Sequence, residues 1–238
     1  MSRRFEELDR QATPIGEISL RRRLEPSLQV DVFEVKIGED GLMSSLITDG
    51  EEAVANLGLA ATSNPHLDVI VGGLGLGYTA RSALDDPRVR SLRVVEALAP
   101  VIDWHRRHLV PLGAQLAGDR RCELVHGDFF ELAANGLAFA GDAPRAFDAV
   151  LVDIDHSPRH LLDPKHAGFY LRPGMDRLAA SLCPGGVFSL WSNDLPDDAF
   201  LGVLAASFDR AVAEVVTFPN VLTGGETSST IYVATRSA

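Results

Sequence analysis

The stretch that decides the fold is Leu67-Asp68-Val69-Ile70-Val71-Gly72-Gly73-Leu74-Gly75-Leu76-Gly77-Tyr78-Thr79-Ala80. Leu67–Val71 is a short, mostly apolar run closed by glycine, which reads as a buried strand. The glycines then let the backbone turn sharply and leave room for a ligand where a Cβ would stand. The helix that follows offers free N–H groups and the positive end of its dipole. A bare strand-to-helix turn is the plain alternative, but four glycines in six residues exceed what a turn needs. The dinucleotide fingerprint G-x-G-x-x-G is not met: counted from Gly73, its last position is Tyr78, and the spacing here is G-x-G-x-G.

From this point the rhythm of strand, turn and helix repeats. Apolar runs at Ser91–Val95, Cys122–Val125, Ala149–Val152 and Gly186–Trp191 alternate with helical stretches at Tyr78–Leu84, Pro100–Leu109, Phe129–Leu137, Arg172–Leu182 and Asp197–Phe208. That alternation predicts a parallel sheet covered on both faces. Ala211–Phe218 and Ser229–Thr235 have no helix between them and are expected as an antiparallel pair at the sheet edge. Upstream, the period is two. Ile18, Leu20 and Arg22, then Val30–Ile37, then Leu42–Thr48 predict a small β-meander, followed by a helix over Glu51–Leu59 with Ala53, Val54, Leu57 and Gly58 on its packed side. The expected division is residues 1–50 as the meander and 51–238 as the α/β domain.

Composition narrows the function. The 238 residues are 46% hydrophobic and carry a net charge of −11, which argues for a real core and against nucleic acid or an anionic membrane as partner. Arg21-Arg22-Arg23 is the one candidate basic patch. Two cysteines, Cys122 and Cys183, make no disulfide framework. The charged Met1–Arg10 segment is unlike a signal peptide, and no long apolar run is present, so a soluble cytoplasmic protein is expected.

In such a sheet, ligands bind beyond the carboxyl ends of the strands, so those residues carry the chemistry. Glu96 follows the second strand; a carboxylate there can accept from both hydroxyls of a ribose, or stand as a solvated strand-end charge. Asp128 follows the third and can accept from the exocyclic amine of a base, or N-cap the next helix, or both; Phe129 can pack on the ring. After the fourth come Asp153, Asp155 and His156, two carboxylates and an imidazole suited to holding a cationic amine and taking its proton. In an extended segment the two aspartates would point the same way and repel, raising one pKa. A polar loop capping a helix is the alternative. His156, His160 and His166 are not expected to bind metal, because Pro158 breaks the helical face and no H-E-x-x-H accompanies them. His105 and His108, among arginines, are expected in solvent. No G-x-S-x-G elbow, Walker loop or C-x-x-C occurs.

Taken together, Leu67–Trp191 resembles the class I S-adenosylmethionine-dependent transferases, and most of all their spermidine synthase-like branch. The matching pieces are Val69–Ala80, Val94-Val95-Glu96, Gly127-Asp128, Phe147–Asp153 and Leu182–Val187. The meander from Thr13 is similar to the small β-domain that precedes the catalytic domain in that branch. The resemblance implies a Rossmann-like fold with a seven-stranded, mostly parallel sheet whose last strand is antiparallel. It implies that Gly73, Gly75 and Gly77 line a sulfonium or thioether nucleoside, that Glu96 holds its ribose and that Asp128 reads its adenine beside Phe129. Asp153 would orient and deprotonate an attacking amine. The co-substrate would be S-adenosylmethionine or its decarboxylated form, with no metal, and the group passed to a small acceptor would be methyl or aminopropyl.

Three departures stand on the acceptor side. Leu76 occupies the place of an aspartate that contacts the aminopropyl amine in polyamine synthases. The aspartate pair is Asp153-x-Asp155 rather than D-x-x-D-P. The Tyr-His-Glu-type segment is replaced by Asp49-Gly50-Glu51-Glu52. These leave open a non-catalytic nucleoside-binding or assembly protein on the same fold, and a nicotinamide-dependent oxidoreductase as a weaker reading. The unpaired edges of the meander point to a homodimer.

Overall fold

The computed structural model describes residues 5–141 and 146–237. The chain opens with a four-stranded antiparallel meander, β1 (Phe5–Thr13), β2 (Gly16–Glu25), β3 (Val30–Ile37) and β4 (Asp40–Ser44), in the order β1-β2-β3-β4. Helix α1 (Asp49–Ala60) leads into the second sheet. Its strands are β5 (Leu67–Gly72), β6 (Val89–Glu96), β7 (Cys122–His126), β8 (Phe147–Val152), β9 (Leu182–Ser192), β10 (Arg210–Asn220) and β11 (Gly225–Thr235). They lie in the order β10-β11-β9-β8-β5-β6-β7. β11 runs antiparallel to both β9 and β10, while β5, β6, β7, β8 and β9 pair in parallel. The expected α/β sheet with its antiparallel last strand is therefore present. Helices α2 (Tyr78–Asp85), α3 (Ala99–Arg106), α4 (Gly113–Gly118), α5 (Phe129–Ala134), α6 (Arg172–Ala180) and α7 (Asp198–Ser207) fill the connections. No helix among the described residues is long and apolar enough to cross a membrane.

β5 and β8 are buried along their full length, as expected of central strands covered on both faces. One apolar cluster joins α1, α2 and α3 to β5 and β6 and takes in Ile18, Leu20 and Val35 of the meander, so the meander is packed on the α/β body. A second, on the other face, is built largely from aromatics around Phe147, Phe169, Phe188 and Tyr232.

The periodicity reading misses β1, and the reason is chemical. Its sequence, FEELDRQAT, shows little apolar alternation. It is matched to β2 by charge instead: Arg22 bonds Glu6 at 2.6 Å, Arg21 lies 3.7 Å from Glu7 and stands over the Phe5 ring. Arg23 is taken by Glu25 and Glu34. The run Arg21–Arg23 is thus a set of cross-strand pairs and not a basic patch. Helix α4 and a 3₁₀ turn over Pro164–Gly168 are also absent from the sequence reading.

The expected side of α1 is the packed one, with Ala53 and Leu57 against the core beside Val54 and Gly58, and Ala55 and Leu59 extend it. Val54, Ala55, Gly58 and Leu59 are buried, whereas Ala53 and Leu57 are only half-buried. Gly58 is what allows this face to seat on the sheet. A Cβ there would lie 2.8 Å from Ser189 Cβ and 2.9 Å from Leu151 Cδ2. Gly58→Val is expected to overpack this contact at a cost of about 1–3 kcal/mol. Tm should fall by about 2–4 °C for each of those kcal/mol, and an unchanged melting curve would disprove the tight seat.

Candidate functional site

The site lies where the sheet order reverses direction, at the carboxyl ends of β5, β6 and β8. A cavity of about 420 Å³ opens there, lined by the glycine loop, Glu51, Glu96, Asp128, Asp153, His156 and Trp191, with Ile37 and Met43 from the meander.

The glycine loop is held from several directions. Gly72 O accepts from Asp153 N at 2.9 Å and Gly73 N donates to Val95 O at 2.9 Å, tying the ends of β5, β8 and β6 together. Gly73 has φ +93°, and a Cβ on it would stand 2.1 Å from the Asp153 carbonyl oxygen. Only glycine fits between these two loops. Glu96 is buried and accepts from Leu74 N at 3.0 Å and Leu98 N at 2.8 Å. Burial pushes its carboxyl above the usual range, and these N–H groups offset part of that.

His105, expected in solvent, is fully buried. Its Nε2 lies 3.0 Å from Gly75 O, and a Cβ on Gly77 would meet its Cε1 at 2.9 Å. Burial lowers its pKa, so the ring stays neutral, donates through Nε2 and leaves Nδ1 without a partner. Glu96 and His105 therefore grip successive residues of the loop, one through the Leu74 N–H and the other through the Gly75 carbonyl. The arginines around His105 hid this role, because Trp104 and His105 are the buried residues of a helical turn whose other members are exposed.

Asp128 N-caps α5, accepting from Phe130 N at 2.8 Å and Glu131 N at 3.2 Å, both through Oδ1. It lines the cavity as well, so the capping role and the cavity position coexist. Phe129 is buried beneath Gly72, where a Cβ would touch its ring at 2.7 Å. The neighbouring Phe130 is the more open ring, and it stacks on His166 with centroids 3.8 Å apart.

The two aspartates after β8 part company. Asp153 faces the cavity and accepts from Thr79 Oγ1 at 3.0 Å. Asp155 is buried away from it. It accepts from Leu162 N at 2.7 Å and Tyr170 OH at 2.8 Å, and pairs with His166 Nδ1 at 2.9 Å. The strand ends at Val152 and the chain bends at Asp155, so the two carboxyls take separate partners, and the raised pKa of Asp153 comes from burial and not from Asp155. Asp155 instead organises the loop over Leu162–Tyr170. His156 is exposed at the cavity wall, and its carbonyl accepts from Asn193 N at 2.8 Å.

The carboxyl that does stand near Asp153 is Glu51, in the first turn of α1. Burial raises the pKa of both groups, and the Asp153 charge raises that of Glu51 further. The sequence reading noted Glu51 only as part of an altered segment. Its signal was an acidic residue in a helix's first turn, a pattern equally explained by the helix dipole. Among the described residues no group of three or more His, Cys, Asp or Glu is placed to hold a metal ion.

A family model for the spermine/spermidine synthase domain matches residues 49–197, more than half of the chain. The chain belongs to the spermine/spermidine synthase family. Within that family, polyamine aminopropyltransferase 2 of Pseudomonas aeruginosa is 28% identical over 196 residues, 77% of this chain and 52% of that protein. Putrescine N-methyltransferase 3 of Nicotiana tabacum is 31% identical over 137 residues, 57% of this chain and 32% of its own length. The chain thus spans about half the length of the first relative and about a third of the second. The spermidine synthase from Thermotoga maritima superposes with a TM-score of 0.72 at 19% identity, over 97% of this chain and 72% of that one. That likeness carries the fold of both sheets.

The grip on the loop is testable. His105→Leu removes the donor to Gly75 O and is expected to loosen the loop, speeding amide exchange over Gly73–Gly77 about tenfold, near 1.4 kcal/mol, with the fold retained. His105→Gln, which restores a donor, should reverse part of that change. Unchanged exchange at the loop in both variants, read by hydrogen–deuterium exchange, would remove His105 from the loop's support.

Proposed function

We propose that this chain is a transferase that binds a sulfonium nucleoside along Gly73–Gly77, Glu96 and Asp128 and passes an aminopropyl group to a small amine held at Asp153. The observation that carries the reading is Asp153 itself. It is a cavity-facing carboxyl whose burial raises its pKa, placed against the glycine loop and steadied by Thr79. A base must be strong enough to draw a proton from an ammonium while staying partly ionised near neutral pH, and such a shift serves that need. The protein's part in the reaction is to align a nucleophilic nitrogen with a carbon bonded to S⁺ and to remove one proton.

The donor preference follows from charge. The acceptor end of the cavity is lined by Glu51 and Asp153. The lysine in its lining, Lys165, pairs with Asp163 and feels Asp128, at the base end. A donor with a free α-carboxylate would meet like charge there, whereas a decarboxylated donor presents an ammonium. A second reading, methyl transfer to an amine from S-adenosylmethionine, is favoured by Leu76 in place of an aspartate and by the similarity to putrescine N-methyltransferases.

The test is Asp153→Asn assayed with both donors against a panel of linear diamines. Turnover should fall by about 10²–10⁴-fold while methylthioadenosine affinity stays nearly unchanged. Turnover with S-adenosylmethionine alone would move methyl transfer to first place. A protein that binds nucleoside but transfers to no amine, with Asp153→Asn silent, would mark a non-catalytic descendant of the fold.

The pH profile is a further check. Asp153 acts as a base only when ionised, so kcat/KM should be full above its raised pKa and fall as pH drops through it. The acid limb is therefore expected above the ordinary aspartate range, and a limb at ordinary aspartate values would assign the base elsewhere.

A further inference from the structure

Glu51 and Asp153 both line the acceptor end of the cavity, and among the described residues neither has a salt-bridge partner. Thr79 Oγ1 lies 3.0 Å from Asp153 Oδ2 and 3.0 Å from the Glu51 backbone carbonyl. A hydroxyl has one proton and cannot serve both oxygens fully. A protonated Asp153 resolves this: it donates to Thr79 Oγ1, and Thr79 donates to the Glu51 carbonyl. With the proton on the Glu51 carboxyl instead, Thr79 donates to the Asp153 carboxylate, and the Glu51 backbone carbonyl keeps the hydrogen bond that helix α1 gives it. Either placement satisfies the cluster with one proton on the pair.

The surroundings favour that proton. On α1 itself the charged neighbours of Glu51 are Asp49 and Glu52, and from the β8 loop it faces Asp153. From α2 comes the Tyr78 phenol, whose own pKa is raised by burial and by the charges of Glu51 and Glu52. Met43 from β4 and Trp191 from β9 line the same cavity and bring no charge, and His156 stands exposed on the β8 loop.

We infer that Glu51 and Asp153 hold one proton between them in the free protein, and that the acceptor's ammonium expels it to solvent on docking. The inference rests on the amine-acceptor reading above and deepens it by giving Glu51 a role. In balance, one carboxylic acid, one carboxylate and R–NH₃⁺ become two carboxylates, bound R–NH₃⁺ and a free H⁺. Asp153 then takes a proton from the ammonium. The amine nitrogen forms its bond to the donor carbon as the C–S bond electrons leave with sulfur. The product departs as a secondary ammonium, and the carboxyl pair again holds one proton. Transfer to an ammonium must release one proton overall, and this assigns the release to binding rather than to chemistry. Glu51 is then a specificity residue that selects the charged form of the acceptor.

The experiment is calorimetric titration of 1,4-diaminobutane into protein saturated with methylthioadenosine, so that no transfer occurs. It is run near pH 7 in buffers of differing ionisation heat. Release of about one proton per amine bound is expected for the wild type. In Glu51→Gln that release should largely vanish and the amine Kd rise about tenfold, with methylthioadenosine affinity unchanged. Amine binding without proton release, or the same release from Glu51→Gln, overturns the inference. Infrared difference spectra of the ligand-free proteins give a second readout: a protonated carboxyl near neutral pH in the wild type, missing in Glu51→Gln. If no amine binds the nucleoside-loaded protein, the acceptor reading falls. The infrared arm then still decides the shared proton: a protonated carboxyl lost in Glu51→Gln upholds it, and its absence from the wild type overturns it.

Discussion

The close approach of Gly73 to the Asp153 carbonyl is the constraint on which the site depends. β5 and β8 are neighbours in the sheet, and their connections leave toward opposite sides of it. The loops at their carboxyl ends would ordinarily diverge. Here they touch, because Gly73 has no Cβ and takes a positive φ. That contact brings a run of backbone suited to a nucleoside against a carboxyl suited to an amine. Glu96 and His105 then fasten the loop from behind, and Thr79, in the first turn of α2, reaches Asp153 from the loop's far end.

The core of this arrangement was legible because glycine has few structural substitutes. A string of glycines after an apolar run, with an acid after the next strand, restricts the backbone far more than composition does. Strands β5 and β8 were legible because they are buried on both faces and so nearly uniformly apolar. What escaped reading escaped for identifiable reasons. β1 is held by charge pairing, which leaves little period-two signal. His105 is a buried polar residue in a charged helix, and a helical turn can hide one inward-facing histidine among arginines. Asp155 was assigned a place beside Asp153 by strand alternation, but the strand ends at Val152 and the chain bends at Asp155, so alternation no longer applies. Its true partners, His166 and Tyr170, lie in a loop whose course no local pattern predicts.

The electrostatics of the cavity divide it by task. The half proposed for the nucleoside is built from backbone groups, glycines and carboxyls already engaged with N–H donors. The half proposed for the acceptor is built from carboxyls with thinner support, Asp153 from the Thr79 hydroxyl and Glu51 from its own N–H. A carboxyl bonded to backbone amides is settled, and changes little when a ligand arrives. One with less support is poised, and a cation entering beside it alters its protonation.

The seat of α1 on the sheet sets how far apart Glu51 and Asp153 stand. Gly58 rests on Leu151 and Ser189, and two turns away the same helix carries Glu51. Asp153 stands two residues beyond that Leu151. One rigid connection therefore sets the spacing of both acidic groups, while Gly73, Glu96 and Asp128 lie on other elements. Small changes in the volume of the residues under α1 would widen or narrow the gap between the two acids while leaving Glu96 and Asp128 in place. On the proposed reading, acceptor choice is thus a quantity that drift in the hydrophobic interior can tune, ahead of any replacement among the polar residues that line the cavity.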